Sequence, residues 1–209
     1  MDAQELLKNA ELAMYQAKGD GGNQLRFYAA DMNSRAREAL VLDSRLREAI
    51  AQNQFVLHYQ PQIDLRTRAI IGAEALVRWQ TPDRGLVSPA EFLPRAEKNG
   101  LILPINEWVL REACREAVTW PRRGLPPLRI GVNLSSIQFQ KQSVPLLVAR
   151  VLAETGLDPR RLDLELTESM LLEQTDSVVR DLQQLRDLGV GISIDDFGTR
   201  YSSLTYVKH

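Results

Sequence analysis

Very little in this chain of 209 residues could serve thiol, imidazole or soft-metal chemistry. Cys114 is the only cysteine, and His58 and His209 are the only histidines. A single cysteine closes no disulfide within the chain. Set in the helical pattern Trp108–Trp120, it reads as a buried, reduced thiol of a cytosolic protein. Two histidines leave a Cys/His zinc site and a Ser-His-Asp triad without their parts. No run reaches the ~18 consecutive apolar residues of a membrane span, and no basic-then-apolar signal sequence opens the chain. A soluble, cytoplasmic chain is expected. An excess of one charge is missing too: 26 Lys and Arg stand against 27 Asp and Glu. That balance removes the electrostatic case for non-specific nucleic-acid binding, and no DNA contact is expected. Nor is there a glycine-rich phosphate loop, which argues against a Rossmann-like sheet.

What is present is an ordinary globular composition, 44% apolar and 25% charged, enough for one large domain or two small ones. Leu6, Leu7, Ala10, Leu12, Ala13, Met14 and Ala17 recur at helical spacing and predict a helix over 2–18. Gly19, Gly21 and Gly22 end it, and Gln24–Tyr28 reads as a short strand. This piece is too small to bury a core alone. A second helix over 31–52, rich in Arg and Glu, reads as a connector or a plain surface helix.

From Phe55 the pattern alternates. Strands are expected at 55–63 and 69–79, joined by a short turn that suggests an antiparallel pair. Helices follow at 89–99 and 103–120, then strand 129–134, helix 144–155, strand 162–166, helix 177–188 and strand 191–195. A last helix opens at Ser202. Asn133 and Glu165 are 32 residues apart, and Glu165 and Asp195 are 30 apart. About thirty residues is one βα unit of an eight-fold barrel of ~250 residues, whose active-site residues sit at the C-terminal ends of successive strands.

The focal stretch is Ile192-Ser193-Ile194-Asp195-Asp196-Phe197-Gly198-Thr199, an apolar strand ending in two carboxylates and a glycine. Alone it fits a solvated, capped turn as well as a cation site. Other strands supply similar groups. Glu74, Leu76 and Arg78 share one strand face, where the two charges could form an ion pair or bind metal and phosphate respectively. Asn133 could cap the next turn or offer a neutral oxygen ligand. Asp163, Glu165 and Thr167 share a face that a barrel would cover, and Glu168 stands beyond that strand's end, placed to brace a loop. Glu74, Asn133, Glu165, Asp195 and Asp196 offer only oxygen, which selects Mg²⁺ or Mn²⁺ over zinc and suits metal-assisted phosphoester hydrolysis.

Glu74-Ala75-Leu76-Val77-Arg78-Trp79, Asn133-Leu134-Ser135, Glu165-Leu166-Thr167-Glu168-Ser169 and Asp195-Asp196-Phe197-Gly198-Thr199 resemble the signatures of EAL-domain cyclic-di-GMP phosphodiesterases. Tyr59-Gln60-Pro61 and Phe92-Leu93-Pro94-Arg95-Ala96-Glu97 extend the resemblance, which covers about residues 45–209. It implies an α/β fold of (β/α)8 TIM-barrel type and a two-metal site. One metal would be held by Glu74, Asn133, Glu165 and Asp195, and the second served by Asp195 and Asp196. Gln60, Leu76 and Arg78 would contact cyclic-di-GMP, and Glu168 would anchor the loop after Asp196. The reaction implied is hydrolysis to the linear dinucleotide by metal-activated water, in a domain that commonly pairs as a homodimer.

The words Asn9–Lys18 and Gly19–Tyr28 resemble the C-terminal end of a GGDEF (diguanylate cyclase) domain, without that family's catalytic signature. The expected organisation is therefore a GGDEF remnant over 1–29, a connector helix over 30–52 and an EAL domain over 53–209, as part of a tandem GGDEF–EAL protein that an upstream domain could anchor to a membrane. About five of eight barrel strands are expected, and at ~30 residues per unit roughly 90 more would complete the barrel. Marginal stability and weak activity follow for the chain as it stands. Arg200 occupies a position usually glycine in the family loop; at φ > 0 its side chain would cost about 1 kcal/mol. A receptor that binds the dinucleotide without cutting it, or an inert remnant, are the competing expectations.

Overall fold

The computed structural model describes residues 2–19, 22–29, 31–167 and 176–195. Two helices come first, α1 (Ala3–Gly19) and α2 (Met32–Ala51). The expected strand at Gln24–Tyr28 does not form: residues 25–29 carry no regular structure. A strand needs a neighbouring strand for its ladder, and among the described residues no strand pairs with this stretch; Leu25 and Phe27 stay 78% and 82% exposed.

Strands β1 (Phe55–Ile63) and β2 (Ile70–Thr81) pair antiparallel, as their short connection suggests. Asp64 closes the turn, its Oδ1 accepting the backbone N–H groups of Arg66 and Thr67 at 2.9 and 2.7 Å. A short β3 (Gly85–Val87) folds back on β2, held by Thr81, whose Oγ1 accepts from Arg84 N and donates to Gly85 O. Helices α3 (Pro89–Asn99) and α4 (Ile102–Thr119) lead to β4 (Arg129–Asn133). A short α5 (Ser136–Lys141), then α6 (Val144–Thr155), lead to β5 (Leu162–Thr167). Finally α7 (Asp176–Asp187) leads to β6 (Gly191–Asp195). Gly189, at φ 90°, makes the left-handed turn between the last two elements, a conformation that costs other residues about 1–2 kcal/mol.

The sheet runs β1-β2-β4-β5-β6, with β3 paired to β2; β2, β4, β5 and β6 are mutually parallel. Pleat alternation divides it into two chemically distinct faces. Ala73, Ala75, Val77 and Trp79 of β2 share the helix-covered face with Ile130 and Val132 of β4 and Leu162, Leu164 and Leu166 of β5. They form one core with Ile105, Val109 and Ala113 of α4, Val144, Val148 and Val151 of α6, and Leu185 of α7. Burying each large aliphatic side chain there contributes about 1.5–3 kcal/mol. Cys114 belongs to the same core, and burial pushes its thiol up to about 12, so it is an inert packing group. Among the described residues no helix is long and apolar enough to cross a membrane.

Helix α2 is fastened to α3 by a buried carboxylate. Asp43 accepts two hydrogen bonds from Arg95 of α3, each 2.5 Å, and one from Asn99 at 2.7 Å. The Arg95 fork holds the Asp43 carboxyl below the usual carboxylate range. Its stabilisation is complete above the unfolded pKa, near 4, and is lost as pH falls through the lower folded value. Asp43→Ala strands a half-buried guanidinium and is expected to cost about 2 kcal/mol. Chemical denaturation of variant and parent at pH 7 and pH 3 checks this, and the difference should shrink at the lower pH.

Candidate metal centre

The second face of the sheet carries the polar residues. Glu74, Leu76 and Arg78 on β2, Gly131 and Asn133 on β4, Asp163, Glu165 and Thr167 on β5, and Ser193 and Asp195 on β6 alternate with the core residues just named. Parallel register sets Asn133 beside Glu165, Glu165 beside Ser193, and Thr167 beside Asp195. Glu74 lies beside Gly131, so Asn133 is its diagonal neighbour one pleat further on. The Asn133 amide spans that diagonal, its Nδ2 donating to Glu74 Oε1 at 2.6 Å. This leaves Asn133 Oδ1 as the atom available to a cation.

Carboxylate oxygens of Glu74, Glu165 and Asp195 all lie within 4.8 Å of one another. Strand β4 separates β2 from β5, a gap of roughly 9–10 Å at ~4.8 Å per strand, so the two glutamates meet only by leaning across β4. Gly131 leaves them room. A Cβ there would clash with Glu165 Oε1 and stand 3.0 Å from its Cδ. The same Oε1 accepts a hydrogen bond from Gln62 Nε2 of β1 at 3.1 Å. Below it, Ser193 Oγ donates to Asp163 Oδ2 at 3.2 Å.

Neither Glu74 nor Glu165 has a cationic partner among the described residues. Glu165 is only 7% exposed. Burial first, then the charges of Glu74, Asp163 and Asp195, push its carboxyl up to about 7, with the Gln62 hydrogen bond pulling the other way. Three converging carboxylates and an amide oxygen, one member keeping its proton to higher pH than usual through burial and its neighbours' charge, form a donor set suited to a hard divalent cation.

The other residues singled out from the sequence fall around this cluster. Gln60 lies opposite Glu74 in the β1–β2 ladder and is exposed. Leu76 lines a cavity of about 280 Å³ with Asn133, Ser135 and Thr167. Arg78 donates to the Val77 carbonyl at 2.8 Å and pairs with no carboxylate among the described residues, so the Glu74–Arg78 ion pair does not form. Glu168, Asp196, Arg200 and the helix expected from Ser202 lie outside the described residues. Gln62 and Gly131 were not anticipated: each acts through a residue far away in the chain, and only the alternation of β1 and β4 hinted at their facing inward.

Helices on one side of a largely parallel sheet and converging carboxylates on the other define an α/β barrel-type protein with a candidate centre for a hard cation. The EAL domain family model matches residues 43–209, and the chain belongs to that family. The bifunctional diguanylate cyclase/cyclic di-GMP phosphodiesterase MucR of Pseudomonas aeruginosa is 48% identical over 204 residues, which are 98% of this chain and 30% of that protein. The structure of the PaMucR phosphodiesterase in its c-di-GMP complex matches with TM-score 0.74 at 47% identity, over 78% of this chain and 66% of that one. The cAMP- and cyclic-di-GMP-bound form of the EAL enzyme Bd1971 matches with TM-score 0.77 at 29% identity, over 99% of this chain and 54% of that one. The chain spans about a quarter to a third of the length of the curated relatives it matches.

Proposed function

We propose that this chain carries the metal- and substrate-binding strands of a cyclic-di-GMP phosphodiesterase, which hydrolyses the cyclic dinucleotide to its linear form. The observation that carries the reading is the meeting of Glu74, Glu165 and Asp195 from three strands, with Asn133 bonded to Glu74. Glu74, Asn133, Glu165 and Asp195 would hold one Mg²⁺ or Mn²⁺, and Asp195 with Asp196 would serve a second. When bound, such ions supply acidification of water and neutralisation of phosphate charge. The chain's own residues do the rest. Gln60 and Leu76 orient the dinucleotide beside the cluster, and the Arg78 fork takes a phosphate once it leaves the Val77 carbonyl. Glu165 would release the proton that burial and its neighbours' charges favour once a bound cation offset those charges. Glu168 steadies the loop that bears Asp196.

The same reading takes residues 1–29 as the end of a GGDEF domain and 30–52 as a connector, in a protein that works in the cytoplasm and pairs through its EAL domain. Support for the first part comes from MucR, a bifunctional cyclase and phosphodiesterase by name, whose similarity spans 98% of this chain.

Incubating the chain with cyclic-di-GMP and Mg²⁺ or Mn²⁺ is expected to release the linear dinucleotide slowly, as followed by chromatography. EDTA or Glu74→Ala should reduce release to background. Metal-independent product would overturn the reading. So would nucleotide binding without any product, which marks a receptor.

A further inference from the structure

One polar cluster outside the metal centre has no place in the account so far. Gln138 of α5 is fully buried, 0% exposed. Its Oε1 accepts from Asn106 Nδ2 of α4 at 2.7 Å and from the backbone N–H of Ser135 at 3.3 Å. Its Nε2 is buried without a hydrogen-bond partner among the described residues. A glutamine three residues after a serine is a familiar start for a helix, and its acceptor oxygen alone would satisfy that role. Full burial and a bond to a second helix go beyond it, because an incompletely satisfied buried amide is destabilising compared with an apolar side chain of the same shape.

The residues it grips are the turn that leaves β4. Asn133 ends that strand and bonds Glu74. Leu134 N donates to the Glu165 carbonyl at 2.9 Å, continuing the ladder to β5. Ser135 N then bonds Gln138. The β5 carbonyl and the Gln138 amide thus hold two successive backbone N–H groups just past Asn133, and Asn106 ties Gln138 in turn to α4. Asn106, Asn133 and Ser135 all line the cavity beside the cluster.

We infer that Gln138, braced by Asn106, is a positioning residue that fixes the β4 exit turn so that Asn133 presents its amide to the Glu74 carboxylate and to the cation the cluster holds. The inference rests on the proposed metal-dependent reading. Residues that orient metal ligands typically alter metal affinity by about 10–100-fold when replaced. Gln138→Met keeps the volume and removes the acceptor; Asn106→Ala removes only the α4 brace.

Mn²⁺ affinity of the full chain, read by electron paramagnetic resonance, is the test, alongside a thermal melt. Gln138→Met is expected to weaken Mn²⁺ binding by about tenfold or more, and Asn106→Ala by a smaller factor. Gln138→Glu, which retains an acceptor for both donors, should recover part of the loss. A lower melting temperature with unchanged Mn²⁺ affinity in both the Met and Ala variants would make Gln138 a helix-start residue only and overturn the inference. If Gln138→Met does not fold, Asn106→Ala decides by the same criterion. Failure of the unsubstituted chain to bind Mn²⁺ would overturn the metal-centre reading itself, a separate result.

Discussion

Replacing Gly131 by leucine is expected to abolish measurable divalent-cation binding and to lower stability by about 1–3 kcal/mol. The glycine stands where the Glu165 side chain crosses β4 to reach Glu74, and even a Cβ there would clash with Glu165 Oε1. Glu165 can respond only by swinging its carboxyl away, which breaks the three-carboxylate meeting and leaves a buried acid without its Gln62 bond. Gly131→Ala is the milder companion, because the group in its way is the mobile end of a side chain. Mn²⁺ titration together with a thermal melt separates the outcomes. Near-normal cation binding by Gly131→Leu would mean that the glutamates do not meet across β4.

The second large effect is a stability that depends on pH in an unusual direction. Most buried carboxylates in ion pairs, Asp43 among them, stabilise the fold more as pH rises. Glu165 does the opposite, because its folded pKa of about 7 lies above the unfolded value near 4.3. Below the unfolded value the protonated group is carried at no electrostatic cost. As pH climbs from about 4.3 towards 7 the unfolded chain releases its proton while the folded chain holds it, and stability falls. Allowing for solvent that reaches an incompletely enclosed site, the loss is on the order of 2 kcal/mol. The cation-free chain is therefore expected to melt lower at pH 8 than at pH 5.5. Glu165→Gln should flatten that slope and stabilise the cation-free chain at pH 8. Adding Mg²⁺ or Mn²⁺ at pH 8 should raise the melting temperature of the parent, by an amount equivalent to ~2.7 kcal/mol at a hundred times the dissociation constant. Glu165→Gln should lose most of that gain. A parent whose stability rises between pH 5.5 and 8 without cation would show that Glu165 is not buried among like charges.

Much of this was written in the sequence where a periodic pattern was long. Helix α6 and strand β6 begin and end where the apolar spacing and flanking residues place them. Glu165 and Asp195 were legible as polar residues about thirty positions apart near successive strand ends, and Glu74 only from its strand face and its motif, since it lies well outside that spacing. The failures have equally physical causes. Gln24–Tyr28 alternates like a strand, but no strand among the described residues pairs with it. Strand β3 is three residues long, too short for any period to register. Helix α5 falls between the strand expected at 129–134 and the helix expected at 144–155, a stretch given no element, although Ser135 followed by Gln138 was a legible start signal. Gln62 and Gly131 could not be found by pattern, because their roles rest on contacts with Glu165, far along the chain. A glycine whose value is the space beside it leaves no residue type to recognise.

The most direct test of the account is an Mn²⁺ titration of the chain at pH 8, followed by electron paramagnetic resonance, with Glu74→Ala and Asp195→Ala in parallel. The unsubstituted chain should bind Mn²⁺ stoichiometrically, more tightly when cyclic-di-GMP is present, and both variants should lose that binding while remaining folded. Folded variants that titrate like the parent would contradict a cation shared by carboxylates of β2, β5 and β6.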